Sequence, residues 1–186
     1  WKDNSTSVIL SGNTSTGAWT NGIGRNGFGI TGTMTGDNTF QGQQDFPFIV
    51  HEDYAVQEDA SLLITPGTTV KFEDFYDYIN VHGTLTAEGT DAAPIYFTSL
   101  SDDEHGGDTN GDGDSVGAVN QWASVHISET GTGIFDYCWF GYGGGESIGL
   151  LDALSNDVEV DHCTFTTSGQ VGIYAENVSL HIYNSN

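Results

Sequence analysis

With 186 residues the chain is long enough for one domain with its own core, but its charge is lopsided: 26 acidic residues stand against three basic ones, Lys2, Arg25 and Lys71, for a formal net charge of -23. Such a surface repels nucleic acid and anionic lipid, which removes both from the partners to consider. No run reaches the roughly 18 apolar residues that span a bilayer, so no membrane insertion is expected, and the self-repulsion has to be met by bound cations, high salt or acid.

Residues 1–45 are rich in Gly, Ser, Thr and Asn, with one short apolar run at Ser7–Leu10. They read as an N-terminal arm or capping-strand region ahead of a domain spanning residues 46–186, and an arm of this kind either caps its own domain or pairs with a neighbour. The chain opens on Trp1 and lacks the basic start and apolar core of a signal peptide. With Lys almost absent, that points to a processed, exported chain or a fragment, and so to an extracellular or cell-surface location. Asn4, Asn13 and Asn177 stand in N-x-Ser/Thr sequons and are candidate glycosylation sites, at about the frequency chance gives in a chain so rich in Ser and Thr.

Past residue 46 helical periodicity is missing, and Gly or Asx punctuation recurs every few residues, which predicts an all-β chain of short strands. In chain order the strand candidates are SLLITPG, TVKFED, YINVHGTLTA, IYFTSL, ASVHIS, GIFDYCWF, IGLLDAL, VEVDHCTF, VGIYAE and VSLHIYN. Many alternate apolar and polar residues, as a strand with one buried face does.

The later candidates repeat one another. IFDYCWF (134–140) aligns with VEVDHCTF (158–165), which puts Cys138 and Cys163 at equivalent positions 25 residues apart; IGLLDA (148–153) aligns with VGIYAE (171–176) at a spacing of 23, and VEVDHC with VSLHIY at 20. A period of 20 to 25 with insertions is the signature of a solenoid, each repeat one rung of a stacked coil. The stretches Pro66–Phe72, Gly83–Gly89, Pro94–Ser99, Asp102–Asp114 and Trp122–Ile127 follow one another as a PG-x-x-V-x-F turn and strand, a G-x-L-x-A-x-G coil, a P-I-x-F-T-S strand, an Asp/Gly/Asn-rich insertion and a Trp leading into the next strand. In this the chain resembles exported right-handed parallel β-helix repeat proteins over residues 48 to 183. The resemblance implies a right-handed parallel β-helix, or β-solenoid; it says little of function, since lyases, adhesins and structural proteins share the architecture.

Within the insertion, Asp108, Asn110, Asp112 and Asp114 occupy alternate positions, with Gly113 after the third. This is the first half of a D-x-[DN]-x-[DN]-G calcium loop, in which alternate side chains turn inward onto a hard ion of six to eight oxygen ligands. The twelfth-position Glu falls instead at Val119, so Asp102, Asp103 and Glu104, backbone carbonyls or water have to complete the set; His105, a nitrogen donor, suits that ion poorly. A structural Ca2+ is expected here, closing the insertion rather than performing chemistry, against the plain alternative of a solvated Asp/Gly turn.

Two cysteines in an exported chain suggest a disulfide, but equivalent positions on adjacent rungs lie about 4.8 Å apart with parallel side-chain vectors, which favours buried thiols. Asp136 and Asp161 stack 25 residues apart and read as surface carboxylates rather than a hydrolase pair; His162 and His181 fall on consecutive rungs and read as exposed ladder residues. Pectate-lyase-like enzymes on the resembled fold add an Arg or Lys base to their calcium ligands. Here Arg25 lies in the arm and Lys71 on an early strand, far along the stack from Asp108, so no enzyme is expected. The reading is a structural subunit of an extracellular filament or surface layer, joined to copies of itself head to tail by β-strand addition at uncapped ends. The alternative is a carbohydrate-binding or polysaccharide-active module with an extracellular polysaccharide as partner.

Overall fold

A computed structural model describes residues 26–146 and 149–186. The described residues are all β and form a parallel β-solenoid of six rungs, with three strand segments per rung, one on each of three faces. β1 (Phe28–Met34) and β2 (Asp37–Phe40) make the first rung; β3 (Phe48–Val56) and β4 (Ser61–Ile64) the second; β5 (Thr69–Phe72), β6 (Ile79–Val81) and β7 (Thr84–Glu88) the third. β8 (Ile95–Ser99), β9 (Val125–Ile127) and β10 (Thr132–Asp136) make the fourth; β11 (Cys138–Gly141), β12 (Gly149–Ala153) and β13 (Val158–Asp161) the fifth; β14 (Thr164–Thr166), β15 (Val171–Ala175) and β16 (His181–Ile182) the sixth.

Every pairing between strands is parallel. β1 and β3 each run around a corner: Phe48–Val50 pairs with β5, and Tyr54–Val56 with β6. The first face therefore stacks the front of β1 and β3 with β5, β8, β11 and β14; the second stacks their back halves with β6, β9, β12 and β15; the third is β2, β4, β7, β10, β13 and β16. The first described strand, at Phe28, thus lies inside the segment read as arm or capping strand, while the Ser7–Leu10 run, Asn4 and Asn13 lie outside the described residues. No helix of the described residues is long and apolar enough to cross a membrane.

Alternation supplies the core. Val70 and Phe72, Ile79 and Val81, Leu85 and Ala87 point inward on the three faces of the third rung, all fully buried. Like side chains stack up the column: Phe97, Phe140 and Phe165 lie nearly parallel at 4.6 and 4.8 Å, and Phe72 stacks on Trp122 at 4.1 Å. The stacking holds each rung in register, because a one-residue slip would turn every apolar side chain outward.

Two of the three sequence alignments shift. The 25-residue one is correct, with Asp136 opposite Asp161 and Trp139 opposite Thr164. On the second face, however, Leu151 pairs with Ile173, a spacing of 22 rather than 23, and on the third Glu159 pairs with His181, 22 rather than 20. Corner lengths differ between rungs, and the apolar residues find their own register. His181 consequently sits beside Glu159 and not beside His162. His162 stacks instead on Tyr137, 4.4 Å away with rings 5° from parallel. Both are corner residues with positive φ, 46° and 47°, so a single left-handed residue turns the chain from the third face to the first.

Cys138 and Cys163 are both buried free thiols. Cys138 Sγ donates to the Ala87 carbonyl at 3.2 Å and Cys163 Sγ to the Asp161 carbonyl at 3.1 Å, and burial pushes the Cys138 thiol well above its ordinary value.

Candidate metal centre

The insertion between β8 and β9 folds back as a flap over the outer surface of the first face. Its root is anchored by Lys71, on β5 one rung earlier. Val70 and Phe72 face the core, so Lys71 points outward, yet it is 0 % exposed because the flap covers it. Its Nζ donates to the carbonyls of Asp102 and Gly107 at 2.7 and 2.8 Å. Gly106 makes the close approach possible: at φ 84°, a Cβ there would sit 3.2 Å from Thr69 Cγ2 and 3.3 Å from Lys71 Cε. Sequence separation had set Lys71 far from Asp108. The fold corrects this, because a flap that folds backward crosses the rung before its own.

Asp102 is the second anchor. Its carboxylate is buried, accepting from Thr98 Oγ1, from His105 Nδ1 at 2.7 Å and from the Glu104 amide at 3.2 Å. Burial alone would raise its pKa, but the His105 and Thr98 bonds and the Lys71 charge outweigh that and hold it below the usual carboxylate range. Burial lowers Lys71 to about 8, against the pull of Asp102, Asp103, Asp108 and Asp112. His105 lies between Tyr96 and Trp139, at ring distances of 4.1 and 4.8 Å. The flap therefore rests on the outward aromatics of the face, and Asp102, expected among the metal ligands, is committed to holding its root.

The tip is built differently. Asp103 closes its neck, with Oδ2 accepting from the Ser115 amide at 2.7 Å and its own amide donating to the Ser115 carbonyl at 3.3 Å. Within that neck Asp103, Asp108 and Asp112 each present a carboxylate oxygen, all within 4.8 Å of one another. Asp108 is shaped by the amides of Gly111 and Gly113, which donate to its two oxygens at 2.7 and 3.2 Å. Asn110 turns onto Asp112, its Nδ2 donating to Asp112 Oδ2 at 2.8 Å and its Oδ1 accepting from the Asp112 amide at 3.2 Å. The exposed Asp114 lies outside the converged carboxylates.

Of the six candidate ligands, then, the carboxylates of Asp103, Asp108 and Asp112 come together, with Asn110 hydrogen-bonded to Asp112. Their fit to a hard cation has a specific sign: Asp103 Oδ1 is closed to solvent and has no hydrogen-bond partner, a costly state for a carboxylate oxygen that an ion would relieve. Six carboxylates lie between Asp102 and Asp114, and Lys71 is the only Lys or Arg among the described residues. An all-oxygen site with this excess negative charge suits Ca2+.

A second group joins Asp136, Asp161 and His162 at the corner between the third and first faces. It is satisfied from within: His162 Nδ1 lies 3.2 Å from both Asp136 Oδ1 and Asp161 Oδ1, and Asp161 Oδ1 also accepts from Asn184 Nδ2 at 2.9 Å. Asn177 is exposed on the corner after β15, at φ 58°. No family model matches the chain, and no curated protein or solved structure matches it.

Proposed function

We propose that the chain is a structural unit of an extracellular assembly, a β-solenoid whose flap is fixed by calcium and which extends by addition of a further rung in trans, giving a filament or layer. One observation carries the reading. The inward apolar residues of the second to fifth rungs are buried, whereas in the first Phe28, the register partner of Phe48, is 39 % exposed, and in the sixth Phe165 and Ile173 are only partly covered and Ile182 is 46 % exposed. Asn186 already lies on the far edge of β14, its amide donating to the Cys163 carbonyl at 3.0 Å and its carbonyl accepting from the Phe165 amide at 2.8 Å, and β15 and β16 pair on one side among the described residues, so the stack is shaped to take a further rung by strand addition.

Lys71 supports the same reading against a lyase. A base must reach the substrate proton, and this amine is wholly covered and engaged by two carbonyls. A polysaccharide partner is supported by the exposed Phe75 and Tyr76, edge to face at 4.9 Å on the corner before β6, and glycan-array binding lost in Tyr76→Ala would favour it.

Sedimentation of the full chain with calcium tests the assembly. It should associate with rising concentration, and Ile182→Lys, on the exposed edge, should abolish association while leaving the melting temperature nearly unchanged. A monomer at every concentration, or equal association by Ile182→Lys, would sink the proposal.

A further inference from the structure

The outer surface of the second face carries a polar row that neither the flap nor the corner group uses. Asn80, His126 and Asp152 are register partners on β6, β9 and β12. Their strand neighbours, Ile79 and Val81, Val125 and Ile127, Leu151 and Ala153, are all fully buried. Alternation therefore turns the three polar side chains outward onto one line, about 4.8 Å from one to the next.

The row is part-buried and unsatisfied. The Asp152 side chain is only 9 % exposed, and its Oδ1, like Asn80 Oδ1, is sealed from solvent without a hydrogen-bond partner. The other carboxylate oxygen, Oδ2, stands 3.9 Å from His126 Nδ1. That is too long for a hydrogen bond, but two ligands each about 2.1 Å from one ion are separated by about 3.0–4.2 Å. Buried oxygens without partners are costly, and a cation bound along the row would relieve them.

We infer that Asn80, His126 and Asp152 form a second cation site, for a borderline first-row divalent ion of the Zn2+ class. The donor set decides the class: an imidazole nitrogen beside two oxygens favours a borderline ion, whereas the oxygen-only cluster in the flap favours calcium. Asp152 supplies the negative charge and His126 the nitrogen. Asn80 adds a neutral oxygen, with water completing the shell. The ion would cross-link three consecutive rungs.

The test is a Zn2+ titration of the full chain in excess calcium, which occupies oxygen-only sites, read by calorimetry and by X-ray absorption of the bound zinc. One Zn2+ should bind per chain with an imidazole nitrogen in its shell. His126→Ala and Asn80→Ala should each weaken it by about tenfold or more, and Asp152→Asn likewise. His162→Gln and Asp108→Asn/Asp112→Asn should leave the affinity unchanged. Absence of binding in the parent chain, unchanged binding in His126→Ala, or loss in His162→Gln instead would overturn the assignment. If Asp152→Asn does not fold, the half-exposed His126→Ala decides alone.

Discussion

The root and the tip of the flap meet the same problem, carboxylates held close together, in opposite ways. At the root, Asp102 is buried but has three donors and the Lys71 charge, all from the chain itself. At the tip, Asp103, Asp108 and Asp112 converge with only neutral donors, backbone amides, the Asn110 amide and the Ser115 hydroxyl, and one oxygen is left without any. The lesson is that a buried carboxylate is stable wherever its counter-charge comes from, and the source decides what the structure depends on. The root depends on the sequence, whereas the tip depends on the medium. Asp77 is a third case: buried, with its Oδ2 accepting from the amides of Glu73 and Asp74 at 3.0 and 2.9 Å, but with no cation beside it among the described residues. Burial pushes it up to about 6, and those two hydrogen bonds only partly oppose the rise.

The largest effect that could break the comparison is at the root. Asp102→Ala removes three acceptor contacts and leaves Lys71 buried without its main counter-charge, so it should cost about 3–5 kcal/mol. Denaturant titration should give the same loss with calcium and with chelator; a loss seen only with calcium would make Asp102 a ligand. The pH signature is signed. Asp102 is depressed when folded, so its contribution is present above the unfolded value of 3.8 and disappears as pH falls through the lower folded value. Lys71 is lowered from 10.5 to about 8, so its buried charge costs stability below pH 8. That cost is relieved as pH rises from 8 to 10.5. Stability should therefore climb over that window, and Lys71→Met should not show the climb.

The tip comes next. Asp108→Asn with Asp112→Asn should remove the calcium-dependent part of stability, about 2.7 kcal/mol at a calcium concentration one hundred times Kd. A chelator response equal to that of the parent chain would reduce the tip to a solvated turn. A smaller effect sharpens the third case. Asp77→Asn keeps an acceptor for the Glu73 and Asp74 amides and removes the buried charge, so at pH 7 it should stabilise by about 1 kcal/mol. The gain should fade as pH falls from 6 to 3.8, because the parent carboxyl then takes up its proton. The smallest effect concerns the thiols: the native chain should resist alkylation, and the denatured, unreduced chain should take two adducts. No adducts, with a mass two units below the reduced chain, would mean a bridged pair.

Much of the solenoid was legible because inward positions must be apolar in every rung. Leu85 and Ala87, or Val158 and Val160, announce their strands by alternation. The first rung was not, since FGITGTM and DNTF carry few apolar residues and read as leader. The flap's acidic spacing was visible. Its partition into root and tip was not, because that depends on Lys71 lying beneath it, a contact across 31 residues made only when the flap folds back. The row on the second face was hidden for a related reason. From Asn80 to His126 is 46 residues and from His126 to Asp152 is 26, and only the stacked register makes those unequal steps adjacent.

Hydrogen–deuterium exchange across residues 100–118, with and without calcium, tests the division of the flap most directly. The account predicts slow exchange at the Asp102 and Glu104 amides in both conditions, and calcium-dependent slowing at Gly111, Asp112, Gly113 and Ser115. Root and tip slowing together, or neither responding to calcium, would contradict it.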